Sequence, residues 1–391
     1  MSSTDTYDVI VVGVGSMGAA TCKALADRGV RVLGLEQFDI PHDRGAHHGF
    51  SRIVRLCYHE HPDYVPLLSR SIDLWEQWNV ELQEQVYHPV GLIHMGTPEC
   101  PIIQGVKLAA TKYGLPHEEL GLNALRARYP QFRTPDDFVG FFEPRAGFAR
   151  SNLTVAACAT AAMKAGAELH AHEPVLSWSA AASPIGGVTV RTTRGEYAAG
   201  KLVIAGGAWS SRLLGELNVP LTVTRQVLGW VWPKSPAMYA LGRLGGWNIA
   251  SRTDSSSYYG FPMMNDNPGF KLARHHVAEA CDPDTVNRQP TAADEEELRT
   301  GLREFIPDAD GPILGIRVCL YTNTPDGHFV IDRHPEYEQV TLACGFSGHG
   351  FKFVPVVGEV LADLAERGST KHAIEFLGLS RFGKSSTLSP G

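Results

Sequence analysis

Apolar and polar positions change their period several times along this chain. Residues 7–12 (Tyr7-Asp8-Val9-Ile10-Val11-Val12) form a short, β-branched apolar run, the pattern of a buried strand. Gly13-Val14-Gly15-Ser16-Met17-Gly18 follows, and then helical spacing from Ala19 to about Arg28. Gly29 ends that helix, and Val30 to Glu36 reads as a second strand. A complete βαβ unit predicts parallel pairing there. Residues 37–55 read as loop. Over 63–86, Val65, Leu67, Leu68, Ile72, Leu74, Trp75 and Trp78 fall at helical spacing. Residues 87–145 are mixed and rich in proline, and 152–165 predicts a helix capped by Ser151 or Asn152. Lys201-Leu202-Val203-Ile204-Ala205 reads as another buried strand, ending in Gly206-Gly207-Ala208-Trp209. Successive strands are expected over 221–275, an acidic helix over 294–305 and strands again over 314–345, with a last helix from about Pro355. Strands of the nucleotide-binding type recur at the start, middle and end. The pattern therefore predicts an α/β fold, a Rossmann-like domain interleaved with a second, mixed-sheet domain.

The length of 391 residues allows two to three domains or one large α/β body, with no need of disulfide or metal staples. Thirty-five Lys and Arg against 42 Asp and Glu give a net charge of −7, spread along the chain. No basic patch points to nucleic acid or an anionic membrane, so neither is expected as a partner. The 40 glycines suit tight turns and close backbone approaches. The seven cysteines (Cys22, Cys57, Cys100, Cys158, Cys281, Cys319 and Cys344) are odd in number, and none lies in a C-x-x-C. That argues against a disulfide framework and a zinc site; no metal is expected, and a reducing, cytoplasmic location is. Met1 to Asp5 lacks the basic stretch of a secretory signal, no apolar run approaches the roughly 20 residues a membrane span needs, and Ser389-Pro390-Gly391 is not a peroxisomal address.

Five stretches bear candidate chemistry. Gly13-x-Gly15-x-x-Gly18 lies between a strand and a helix and is answered by Glu36 at the end of the next strand. The glycines allow a tight turn and close approach to a pyrophosphate, the helix N-terminus offers N–H groups to it, and an acid at that strand end can accept ribose hydroxyls. The motif disfavours NADP and leaves FAD and NAD open. His47-His48-Gly49-Phe50-Ser51-Arg52-x-x-Arg55 packs two imidazoles and two guanidiniums into nine residues, and arginine binds carboxylates and phosphates in two-pronged fashion. Tyr258-Tyr259-Gly260-Phe261-Pro262 precedes Lys271 and His275 in a strand-like region. In Gly345-Phe346-Ser347-Gly348-His349-Gly350-Phe351-Lys352, three glycines between a strand and a helix suggest backbone N–H groups aimed at a ligand. Cys319, in Arg317-Val318-Cys319-Leu320-Tyr321, reads by itself as an inert core residue.

Together these stretches resemble the monomeric sarcosine oxidase and N-methyltryptophan oxidase family of flavin amine oxidases, from Asp8 to about Arg381. Pro41-His42, Tyr64-Val65-Pro66-Leu67, Phe329-x-Ile331-Asp332 and the Gly345–Lys352 loop are among its specific pieces, and Leu379-Ser380-Arg381-Phe382 looks more like the N-methyltryptophan oxidase end. The resemblance implies an FAD-binding domain from residues 1–86, 146–220 and 320–391, and a substrate domain from 87–145 and 221–319. It implies FAD bonded covalently through Cys319, overturning the inert reading. Gly13, Gly15, Ser16, Met17, Gly18, Glu36, Ser51, Arg52, Gly345, Ser347, Gly348, His349, Gly350, Phe351 and Lys352 are then expected around the cofactor. Arg55 and Lys352 are expected to bind the substrate carboxylate, and Lys271 to assist reaction with oxygen. Arg52 and His48 are expected near the ring, with Tyr259, His275 and Tyr321 lining the pocket. The implied reaction is oxidation of a secondary (N-methyl or cyclic) amino acid to an imine, which hydrolyses to aldehyde and amine while oxygen becomes hydrogen peroxide. The implied protein is a monomer whose partners are a small secondary amine and oxygen. An FAD-dependent amine dehydrogenase or a biosynthetic imine-forming oxidase is the alternative. Where the family commonly reads His-Ala-Tyr-Gly after the second arginine, this chain reads Leu56-Cys57-Tyr58-His59. The loop Met263–Pro268 is slightly longer than in close relatives, and the short side chains of Ala250 and Ser251 predict room for a substrate larger than sarcosine.

Overall fold

The computed structural model describes residues 6–266, 269–275 and 278–383. The first βαβ unit forms as its pattern predicts. The strand Thr6–Val12 runs parallel to Val32–Leu35, joined by the helix Ser16–Ala26. Among the described residues, these strands belong to an eight-stranded sheet ordered Val175–Ala180, Val188–Thr192, Glu196–Ile204, Thr6–Val12, Val32–Leu35 and Glu168–His170. Val340–Cys344 also pairs in parallel with the second half of Glu196–Ile204 and carries Val330–Arg333 beyond it. The strands at 6–12, 196–204 and 340–344, far apart in sequence, therefore lie side by side, which is the interleaving the recurrent apolar runs predict. The helices Ser16–Ala26, Ser151–Lys164 and Val354–Arg367 pack with this sheet around one apolar core containing Val9, Val11, Leu25, Val155 and Leu361.

A second eight-stranded sheet is ordered Ile313–Asn323, Thr222–Val231, Phe270–His275, Ser257–Phe261, Gly246–Ala250, Leu92–Gly96, Val139–Glu143 and Glu118–Leu120. Its pairs are antiparallel except for Gly246–Ala250 on Leu92–Gly96. The helix Ala292–Phe305 buries Leu298, Leu302 and Phe305 against Trp247 and Tyr258 of this sheet. It is the acidic helix of the sequence, and it starts on a capping box in which Thr291 and Asp294 hold each other's backbone N–H. A small third sheet, Ser51–Val54, Gly147–Arg150 and Tyr87–His88, lies in a stretch that sequence reads as loop at 51–54. The strand Ile313–Asn323 runs across residue 320, where the division expected from the resemblance falls.

The expected cap at Ser151 or Asn152 does not form. The helix begins at Ser151 with Arg150 in the cap position and no side-chain cap bond. Asn152 Oδ1 instead accepts the N–H of Phe50 at 3.1 Å, so a tertiary partner outcompetes the local one. No helix among the described residues is long and apolar enough to cross a membrane.

Candidate active site

The Gly13–Gly18 turn opens into a cavity of about 350 Å³. Gly13 has φ +89°, and a Cβ there would meet the carbonyl oxygen of Ala205 at 2.5 Å, so only glycine fits. A Cβ on Gly18 would strike the carbonyl oxygen of Gly13, so this glycine sets the close seating of helix on strand. Gly15 has space: a Cβ there would meet only the His47 ring, at 3.7 Å. The helix that follows has no side-chain cap and no acid in its first turn, so its leading N–H groups face the cavity wall formed by Gly15, Ser16 and Met17. Glu36 lines the same cavity. Its Oε2 accepts the N–H of Val14 at 2.9 Å and its Oε1 that of Phe38 at 3.1 Å, while burial pushes its pKa up. Each oxygen retains a lone pair for a further donor. The cavity continues along Gly206–Trp209 and the Gly345–Phe351 loop to Arg52 and Tyr321.

Arg52 and Tyr321 also line a second, smaller cavity of about 70 Å³, with Arg55, Glu60, Tyr259, His275, His349 and Lys352 around it. Arg55 is buried and donates from one guanidinium nitrogen to both oxygens of Glu60, each at 2.6 Å, and from another to the carbonyl of Cys57. Burial opposes the charge on each partner, but their attraction outweighs it: the Arg55 pKa is raised and that of Glu60 lies well below the ordinary carboxylate range. Lys352 donates to the carbonyl of His349 at 2.6 Å and lies over the Tyr58 ring. Burial, with Arg55 adding to it, pushes the Lys352 pKa down to about 7. His349 bonds to the Tyr58 hydroxyl and the Gly327 carbonyl, and burial takes its pKa to about 3, so it is neutral at ordinary pH. His275 Nδ1 lies 3.3 Å from the Tyr321 hydroxyl.

Five expected site residues sit behind these walls rather than in them, Gly18 being the first. Lys271 is 0% exposed, and its ammonium donates to the carbonyls of Gly49 at 2.6 Å and Ser51 at 2.7 Å. It thus ties the second sheet to the loop that leads into Arg52, and burial drives its pKa far below that of a free lysine. Ser51 is the other side of that tie. His48 is buried with Nε2 unpartnered, and burial takes its pKa to about 3. Cys319 is fully buried, with Sγ 3.5 Å from both the carbonyl of Ala46 and a guanidinium nitrogen of Arg52, two residues that line the larger cavity.

The sequence and fold match known proteins over nearly the whole chain. The family model described as FAD dependent oxidoreductase matches residues 8–364. The chain belongs to this family. It is 43% identical over 376 residues to the monomeric sarcosine oxidase of Streptomyces avermitilis, covering 94% of this chain and 96% of the relative. It is 35% identical over 379 residues to the N-methyl-L-tryptophan oxidase of Yersinia pestis (strain Pestoides F), covering 96% and 99%. The open form of NikD, an unusual amino acid oxidase essential for nikkomycin biosynthesis, superposes with a TM-score of 0.82 at 28% identity, covering 96% of this chain and 98% of that one.

Family membership makes the chain an FAD-dependent oxidoreductase, and the larger cavity fits that cofactor. A glycine with open space beside it, an uncapped helix start and a buried carboxylate stand in the order that a pyrophosphate and a ribose require. Glu173 and Arg212, which the sequence reading did not single out, border the FAD cavity, as do His42, His47 and Trp209, which were named there without this role. Burial lowers the His42 pKa to about 4 and that of His47 further, so both rings are neutral. In the smaller cavity Glu60, His59, Asn248 and Ser257 were not anticipated. No spacing along the chain marks either the Arg55–Glu60 ion pair, which forms across an irregular segment, or Asn248. Neither Ala250 nor Ser251 lines the pocket. Ala250 packs beside Gly96, and Ser251 hydrogen-bonds Thr253. Met263 to Asp266 line neither cavity, and Asn267 and Pro268 of that loop lie outside the described residues.

Proposed function

We propose that this protein is an oxidase of small secondary amino acids, N-methyl or cyclic, using FAD bonded through Cys319. FAD-dependent oxidation of a C–H bond beside an amine nitrogen is the chemistry; the secondary amino acid is the substrate we assign to it. The observation that carries the reading is the pair of buried cations, Arg55 and Lys352, in a small pocket that shares Arg52 and Tyr321 with the FAD cavity. Such a pair is suited to a carboxylate, and the shared wall places the rest of an amino acid next to the cofactor. When bound, FAD supplies the two-electron acceptor and passes those electrons on to oxygen.

Arg55 and Lys352 hold the carboxylate, with Glu60 giving up one of its contacts to Arg55. The two cations disfavour a third positive charge, so the bound amine loses its proton, and its lone pair can then assist departure of the neighbouring hydrogen. Tyr259, Tyr321 and His275 border the amine end and keep out water. Lys271, whose two carbonyl acceptors favour its ammonium against the pull of burial, and Arg52 supply positive charge to the oxygen half of the reaction, and His48 supports the loop that carries Arg52. Support for the Cys319 bond is the position of its sulfur against two residues of the cavity wall. The test is peroxide release from a panel of secondary amino acids, with matching primary amino acids and simple amines as controls. Release from the secondary amino acids alone is expected; no release from any of them, with FAD bound, overturns the reading.

A further inference from the structure

Asn248 lies in the strand Gly246–Ala250, in register with His94 on one side and Tyr259 on the other. Directly opposed residues of neighbouring strands project from the same face. His94, Asn248 and Tyr259 therefore form a polar row across the second sheet, and Asn248 and Tyr259 line the smaller cavity. His94 Nε2 pairs with Glu143 at 3.0 Å, its buried Nδ1 is without a partner but lies off the cavity wall, and Tyr259 hydrogen-bonds Tyr321. Asn248 stands between them. It is 6% exposed, and its amide oxygen has no partner.

A second unpaired atom borders the same space. The His59 ring lies 6.4 Å from that of His94, and its Nε2 is 3.6 Å from Glu60 Oε1. The carboxylate favours the proton on Nε2, which leaves Nδ1 an acceptor. Burial keeps the ring neutral, and Nδ1 is itself buried without a partner. Two acceptors shielded from water, on opposite elements, thus flank one cavity of about 70 Å³. A buried acceptor left unpaired is costly, and its cost is relieved when a ligand brings a donor.

We propose that the substrate of this pocket carries a hydroxyl or N–H donor on a short side arm, and that Asn248 Oδ1 and His59 Nδ1 read it. The assignment rests on the amino-acid oxidase reading above and narrows it to a hydroxylated or amide-bearing secondary amino acid. The size of the cavity restricts the arm to a short one. Asn248 and His59 are specificity-determining residues in this account, and Asn248 makes no contact with the carboxylate clamp.

The test uses the holoenzyme and two carboxylates of matched shape, 3-hydroxypropionate and butyrate, whose affinities are read from the perturbation of the flavin absorbance. The hydroxylated acid is expected to bind about tenfold or more tightly. Asn248→Leu should erase that difference. N-methyl-L-serine should likewise reduce the flavin with a higher kcat/KM than N-methyl-L-2-aminobutyrate. Equal affinities for the two acids in the unaltered protein overturn the proposal, whether or not the variant folds. If sarcosine is oxidised but the two acids bind alike, the oxidase reading stands and this one falls. If the hydroxylated acid binds preferentially but no secondary amino acid reduces the flavin, the polar roof stands and the amino-acid reading falls.

Discussion

Raising the pH should loosen the grip of this protein on a simple carboxylate, because half of its clamp is a lysine that gives up its proton near neutrality. Lys352 has a pKa of about 7 in the free site, lowered first by burial and then by Arg55. A carboxylate at contact distance, roughly 4 Å, contributes about 4 kcal/mol at an effective dielectric constant of 20, which is about 3 pKa units. The bound state therefore keeps the ammonium charged to about pH 10. Well between those two values each unit of pH costs about a factor of ten in affinity, and at pH 7 the lysine is already half deprotonated, so propionate should bind about fiftyfold more weakly at pH 9 than at pH 7 and with little change below 7. The sign follows from the cation being present below the free-site pKa and lost above it. Glu60 stays ionised and His349 and His59 stay neutral through this window. Propionate has no amine, so substrate ionisation does not enter. Spectral titration of the holoenzyme at constant ionic strength measures the effect, and Lys352→Met should be weak and independent of pH. A flat profile in the unaltered protein from pH 6 to 9 would refute the reasoning.

Three further outcomes are expected. Cys319→Ser should release its flavin on acid denaturation, whereas the unaltered protein should carry its yellow colour into the pellet; yellow supernatant from the latter ends the covalent assignment. Arg55→Ala should raise KM for amino acids far more than for the matching amines, and depriving the half-buried Glu60 of its arginine should also lower stability in chemical denaturation; equal kinetic losses on both substrate types would show that Arg55 serves the fold alone. Lys271→Met should slow reoxidation by oxygen, by roughly 2.7–4 kcal/mol of barrier, much more than anaerobic reduction in stopped flow; collapse of the reduction step with fast reoxidation would place Lys271 with the amine.

The parts of this molecule that were legible in its sequence are those whose signal is local. The strand, glycine turn, helix and acid of the first βαβ unit follow one another within thirty residues, and the cavity forms on them as their spacing predicts. Tyr321 was reached only through the family resemblance of its Cys-x-Tyr setting, not through any local physical signal. Lys271 was noticed because a lysine is costly in an apolar strand, but only the fold shows what satisfies it, two carbonyls more than two hundred residues earlier. Asn248 acquires meaning only from register: its neighbours His94 and Tyr259 come from strands on either side, and no spacing along the chain encodes that. Asn152 misled for the same reason, its capping oxygen being taken by Phe50.

The larger cavity is walled by both major sheets: the Gly13–Gly18 turn belongs to one, while Leu320, Tyr321 and Thr322 stand on a strand of the other. A cofactor bonded at Cys319 is therefore anchored on the second sheet and gripped without a bond by the first. Its return to the phosphate turn is then an intramolecular event at high effective concentration. Damage to the turn has an unusual signature in such an arrangement. Substituting Gly13 or Gly15 should leave one flavin per chain yet disorder its far end and separate the two sheets more easily, so flavin content stops being a measure of whether the binding site is intact.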